Sequence, residues 1–226
     1  MQHAKCKMQI GSRAWAQLAF CILHSALLCL AVAAFATAET IDRVLAVAAG
    51  DLITLSDVTA ARDFGLVTAG SGADPIGAIL TKLIDRALIL AEVDRYAPPE
   101  PSAEAIDREL QAIQARFASP QAFDEALSRS GIDASHLRQT LRENLRIRAY
   151  ENQRFTTVPP TDEDLGRYYR DHPQPFMRQG QLVPFDAARE DVVRVMTEER
   201  RTALIADWVA GLRRRADVID LYLPGR

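Results

Sequence analysis

Aromatic residues make up only 7% of this chain of 226 residues, and cysteine occurs three times, at Cys6, Cys21 and Cys29. A chain so poor in aromatics, and dominated by Ala, Leu, Arg, Glu and Gln, is neither an all-β protein nor a disordered one; its composition is that of a helical fold. A basic excess is also missing. The 27 Lys+Arg stand against 30 Asp+Glu, a formal charge of −3, and this leaves no electrostatic footprint for nucleic acid. Histidine is scarce, and beyond residue 38 only His136 and His172 remain, neither with a partner at ligand spacing. No H-E-x-x-H, P-loop or G-x-G-x-x-G pattern occurs, and Gly70-Ser71-Gly72 lacks the strand-to-helix setting of a nucleophile elbow. No catalytic residue, metal site or cofactor is therefore assigned from the sequence.

Residues 1–38 read as a secretory signal peptide. Lys5, Lys7 and Arg13 form a positive start, no acid precedes Glu39, and Ala14 to Phe35 is almost uncharged and apolar. Ala36-Thr37-Ala38 fits the small-x-small rule, which predicts cleavage between Ala38 and Glu39. Uncleaved, the same stretch of about 22 residues could act as a membrane anchor. Its Ala-rich end and well-placed triplet favour cleavage, and with it a periplasmic protein that makes no stable membrane insertion. All three cysteines leave with the leader, which excludes disulfides, thiol catalysis and Cys-based metal sites in the mature chain. Three cations leave and no acid does, so the mature chain is the more acidic form.

The remainder, residues 39–226, reads as one helical domain opened and closed by strands. Val44 to Leu55 predicts a hairpin turning at Gly50-Asp51, followed by a short helix capped by Ser56. Asp74-Pro75 starts the strongest helix, Pro75 to Ala97, with Ile76, Ile79, Leu80, Leu83, Ile84, Ala87 and Ala91 at core-facing spacing. Leu88, Ile89, Leu90 and Val93 widen that stripe, predicting contacts on two sides. Further helices carry Ile106, Leu110, Ile113 and Phe117; then Phe123 and Leu127, with Gly131 as the stop; then Leu137, Leu141, Leu145 and Ala149 behind Asp133. Thr161 and Asp164 form a capping box for a helix holding Leu165, Tyr168 and Tyr169. The acids Asp162, Glu163 and Asp164 are read as first-turn complements of their helix dipole rather than as general acids, and Arg213-Arg214-Arg215 as last-turn cations of the closing helix. A ten-residue link, Phe176 to Phe185, leads to a closing helix over about 186–215, whose predicted inner face is Val192, Met196, Ala203, Trp208 and Leu212. Residues 217–223 alternate as a strand should, and are expected to pair with the hairpin, which alone would be marginal.

Four stretches resemble SurA-type periplasmic chaperones, the SurA N-terminal domain and trigger-factor-like family. They are Ile41-Asp-Arg-Val-Leu-Ala-Val-Ala-Ala-Gly-Asp-Leu-Ile-Thr-Leu-Ser-Asp-Val58, Phe123-Asp-Glu-Ala-Leu-Ser-Arg-Ser-Gly-Ile-Asp-Ala-Ser-His-Leu137, Thr161-Asp-Glu-Asp-Leu-Gly-Arg-Tyr-Tyr-Arg-Asp-His-Pro173 with Phe176, and Asp207-Trp-Val-Ala-Gly-Leu-Arg-Arg-Arg-Ala-Asp-Val218. Each is weak alone, and their order along residues 41–223 carries the resemblance. In such proteins one or two parvulin isomerase domains sit between the Tyr-Tyr helix and the closing helix. Here that interval is about ten residues, where a domain needs on the order of a hundred. The resemblance thus implies a mainly α chaperone core with a small antiparallel sheet, and not the isomerase.

The function it implies is an exported, holdase-type chaperone, not an enzyme, whose partners are unfolded outer-membrane or secreted polypeptides. An apolar helical groove would hold them, with aromatics giving sequence-tolerant contacts. The candidate client-binding residues, near the short link, are Phe155, Tyr168, Tyr169, Phe176 and Met177, each of which could instead be core. Trp208 is expected in the core. Two alternatives stay open: an isomerase-family protein with a cryptic site, and a dedicated adaptor subunit of an envelope complex.

Overall fold

The hairpin opens the described chain in a computed structural model that describes residues 42–68 and 72–224. The signal-peptide expectation for residues 1–38, and Gly70-Ser71 of the glycine-serine loop, lie outside the described residues. Strand β1 (Val44–Ala48) pairs antiparallel with β2 (Asp51–Thr54), and Ala48 faces Asp51 across the turn. The two turn residues are therefore Ala49 and Gly50, not Gly50-Asp51. Both have positive φ, 54° and 90°, as the tight turn matching strand twist requires. Strand β5 (Val218–Asp220) lies on the other side of β1, also antiparallel, giving the sheet order β2-β1-β5. The two ends of the described chain are thus joined in one sheet, as the alternating tail predicts.

Seven helices follow the hairpin among the described residues: α1 (Leu55–Asp63), α2 (Pro75–Tyr96), α3 (Ala103–Gln114), α4 (Pro120–Ser130), α5 (Ala134–Arg154), α6 (Asp162–Asp171) and α7 (Phe185–Arg215). Most begin on a side chain that satisfies an orphan N–H of the first turn. Asp74, Ser102, Ser119 and Asp133 do so for α2 to α5, and Thr161 with Asp164 makes a reciprocal capping box for α6. At α1 the cap is Thr54, which shares a capping box with Asp57. Ser56, the residue expected there, lies inside the first turn and bonds to the Asp42 carboxylate instead.

Three cores form. The first packs α2 under the sheet, with Leu45, Ala46, Ile53, Ile79, Leu80, Ile84, Val93, Tyr150 and Leu212 buried. Helix α2 meets the sheet, α1, α5 and α7, which accounts for its wide apolar stripe. The second joins α1, α3, α4 and α5 around Phe64, Phe123, Leu137 and Leu141, and the ring of Phe117, just past α3, packs against it. The third holds Leu165, Phe176, Ala188, Val192 and Met196, between α6 and the first half of α7.

Two helix faces depart from the sequence pattern. On α5, Leu137 and Leu141 are buried but Ala149 is exposed, and Tyr150 takes its place inside. Four residues advance a helix by about 400°, so a strict four-residue row rotates about 40° per step and leaves the core. On α7, about 46 Å long, Ala203 is exposed because the helix crosses from the third core to the first and has nothing to face in between. The link after α6 is not irregular either. A single 3-10 turn (Gln174–Phe176) leads into a small hairpin, β3 (Met177–Arg178) with β4 (Gln181–Leu182), turning at Gln179 and Gly180 with φ of 51° and 80°.

Candidate functional site

The structure divides the five expected client-binding residues between two places. Tyr168 and Tyr169 lie on α6 with their rings 6.3 and 5.6 Å from that of Phe176. Phe176 itself is 2% exposed, so it is an interior residue and offers no surface. The Tyr169 hydroxyl donates to the Val183 carbonyl at 2.5 Å, which ties α6 to the start of α7. The Tyr168 hydroxyl is buried without a hydrogen-bond partner, and burial together with nearby Glu199 pushes its ionisation up to about 12. Met177, at the start of β3, is exposed.

Phe155 lies apart from these four, past the end of α5, in an aromatic row. Its ring is 5.2 Å from Trp208, which is 5.7 Å from Tyr150, which is 5.5 Å from the exposed Tyr96. Trp208 is half-buried against the first core rather than sunk in it. The Arg154 guanidinium lies within 5.8 Å of the Tyr150, Phe155 and Trp208 rings, in cation–π contact with each. Beside this row the Glu151 carboxyl is held above its usual range by burial, offset in part by Arg201.

Sequence reading missed a cleft that lies at the other end of α5. It has a volume of about 350 Å³ between β2, α1, α2 and α5. Its apolar floor is built from Ala60, Ala61, Leu83, Ala87 and Leu90, and its polar wall from α5. Arg86 reaches across from α2 to the Glu143 carboxylate at 2.7 Å and the Asn144 side-chain oxygen at 2.8 Å. Gln139 donates to the other Glu143 oxygen at 2.6 Å. At the α1 end, His136 stands 3.6 Å from Asp57. The Thr140 hydroxyl, one turn further along α5, donates to the His136 carbonyl at 3.1 Å and so is committed to the helix. An apolar floor with a few convergent polar groups is the ordinary architecture of a binding site. The one signal in the sequence was the excess width of the α2 stripe, which brings Leu90 to the cleft beside Leu83 and Ala87 of the core-facing row.

Apolar surface also continues over the sheet. Val47 faces Leu52 on one side and Ile219 on the other, so these three form a row across one face of the sheet. Leu52 is 62% and Ile219 56% exposed, and Leu221 and Leu223 follow in the tail. The tail strand therefore joins the sheet through its backbone and through Val218 and Tyr222, while Ile219, Leu221 and Leu223 face outward.

Among the described residues no group of histidines, cysteines and carboxylates could hold a metal ion, and no helix is long and apolar enough to cross a membrane. Compared with known proteins, the chain matches no family model and no curated sequence at a significant level.

Proposed function

We propose that this protein is an exported holdase-type chaperone of the SurA-like kind, acting in the periplasm on unfolded outer-membrane or secreted polypeptides. The observation that carries the proposal is the apolar-floored cleft opening beside an uncovered apolar row of the sheet. Contiguous apolar surface of this kind is unusual on a monomer and marks a place where another chain binds. The order of the four SurA-like stretches and the chain-closing sheet support the same reading. The site's position differs from the sequence expectation: Leu52, Leu83 and Leu90 replace Phe176, while Phe155, Tyr96 and Trp208 offer a second aromatic contact at the far end of α5.

The test is suppression of aggregation. Purified protein at equimolar ratio should hold a urea-unfolded outer-membrane β-barrel protein soluble on dilution, read by light scattering, and should not accelerate prolyl isomerisation of a tetrapeptide. Scattering equal to that of the client alone would refute the chaperone. Isomerisation above the buffer rate would restore the enzyme reading. Capture of one stoichiometric envelope protein, with no protection of unrelated clients, would favour a dedicated adaptor.

A further inference from the structure

The cleft is lined by three consecutive residues of β2, Asp51, Leu52 and Ile53. Successive side chains of a strand point to opposite faces, so a cavity touched by three in a row runs along the strand's edge and not over one face. Strand β2 is the outer member of the order β2-β1-β5, with no strand beyond it among the described residues. The hydrogen-bond phase shows which main-chain groups this edge presents. The Leu221 N–H donates to the Leu45 carbonyl at 2.9 Å, so Leu45, and with it Val47, turns its main-chain groups toward β5. The facing pair of Val47 and Leu52 is then the kind not bonded within the ladder, and the Leu52 N–H and C=O point outward into the cleft. Among the described residues neither group takes a hydrogen bond from elsewhere.

We infer that the unfolded client is bound as an added strand, antiparallel or parallel to β2, through the main-chain groups of Leu52. This rests on the chaperone reading and gives it a mode. A segment of about four extended residues, roughly 14 Å, matches the length of β2. Alternate side chains of that segment fall on the Leu83, Ala87 and Leu90 floor, and the others extend the Ile219–Val47–Leu52 row by one strand. The lining also selects by charge. It carries the carboxylates of Asp51, Asp57 and Glu143 against one guanidinium, Arg86, which Glu143 already engages. The occupant is therefore an extended segment alternating apolar and polar residues, with basic rather than acidic flanks. Backbone bonds supply affinity without regard to sequence, and the alternate pockets ask only for apolar side chains.

The experiment uses a fluorescein-labelled peptide of four Val-Thr repeats between terminal arginines, titrated with the protein and read by anisotropy. Leu52→Pro removes the outward N–H while leaving the β1–β2 ladder, which does not use it, and should weaken binding about tenfold. Two N-methylated peptides, blocked on either the valine or the threonine amides, should differ, because one edge faces β2 and the other faces solvent. One of them should bind about tenfold more weakly than the other. Replacing the arginines with aspartates should also weaken binding. Should Leu52→Pro lower the melting temperature by more than about 10 °C, the N-methylated pair decides with unaltered protein. Equal affinity of the two methylated peptides, or a folded Leu52→Pro variant binding as wild type, overturns strand addition while leaving client protection intact. Failure of the wild-type protein both to bind the peptide and to protect a client would overturn the chaperone reading itself.

Discussion

Replacing Phe176 with alanine separates a client-contacting aromatic from a structural one. The ring is 2% exposed and packs against Tyr168 and Tyr169 in a core whose other buried members are Leu165, Ala188, Val192 and Met196. Removing a buried phenylalanine costs about 3–5 kcal/mol, from lost transfer energy and the cavity left behind. The four large buried side chains of this core together contribute about 6–12 kcal/mol before chain entropy is subtracted, so one change removes a large fraction of what holds α6 to α7. Helix α7 reaches the first core only through its far half, around Leu212. The loss should therefore open residues 160–200 locally rather than unfold the protein. Every 1.4 kcal/mol is a factor of ten, so opening should become at least about a hundredfold more frequent. Limited trypsin digestion with mass mapping reads this directly, because Arg167, Arg170, Arg178 and Arg194 lie in the segment. Cleavage there should rise steeply while 42–154 stays protected. If Phe176→Ala keeps wild-type resistance and loses client protection, Phe176 is a binding residue and the packing argument is wrong.

Other perturbations test other parts of the fold. Deleting residues 217–226 removes the β5 ladder, the part-buried Val218 and Tyr222, and the 2.9 Å bond from the Tyr222 hydroxyl to Asp74, the cap of α2. That is about 3 kcal/mol, which should lower the melting temperature by about 6–12 °C; a shift under 2 °C by circular dichroism would contradict the closed sheet. Burial raises the Glu151 carboxyl above the ordinary value of 4.5, so the unfolded chain ionises first and stability falls as pH rises through and above that value. Glu151→Gln should therefore be the more stable form at pH 7 and equal to wild type below about pH 4, checked by urea melts at both; the opposite order refutes the assignment. Mass spectrometry of protein from the cell envelope should show a chain beginning at Glu39, and an intact leader would indicate an anchored protein.

Local chemistry was legible in the sequence wherever it acts within a few residues. Asp74-Pro75, Ser119-Pro120, Asp133 and Thr161-x-x-Asp164 mark helix starts because a short side chain can reach the orphan amides of its own first turn, whatever lies beyond it. The mainly helical class followed from composition, and the partnership of the two chain ends from the fact that a lone hairpin needs a third strand. Short apolar stripes were read correctly for α2 and α4. Periodicity failed where the partner changes along one helix, at Ala149 and Ala203, because a sequence stripe records which residues are apolar and not what stands opposite them.

The cleft was decided only by tertiary structure. Asp51, Leu83, His136 and Glu143 are up to about ninety residues apart, and nothing in their spacing brings them together. The candidate aromatics had the converse problem. Tyr168, Phe176 and Phe155 have the same chemistry in sequence, yet packing buries one, half-covers another and places the third in a separate row. The open edge of β2 likewise depends on which strand β5 joins. Had the tail paired with β2 rather than β1, the outward N–H and C=O of Leu52 would be satisfied and the cleft would have no free edge. That choice is a long-range contact, fixed by the register of Ile219 against Val47, and no local pattern encodes it.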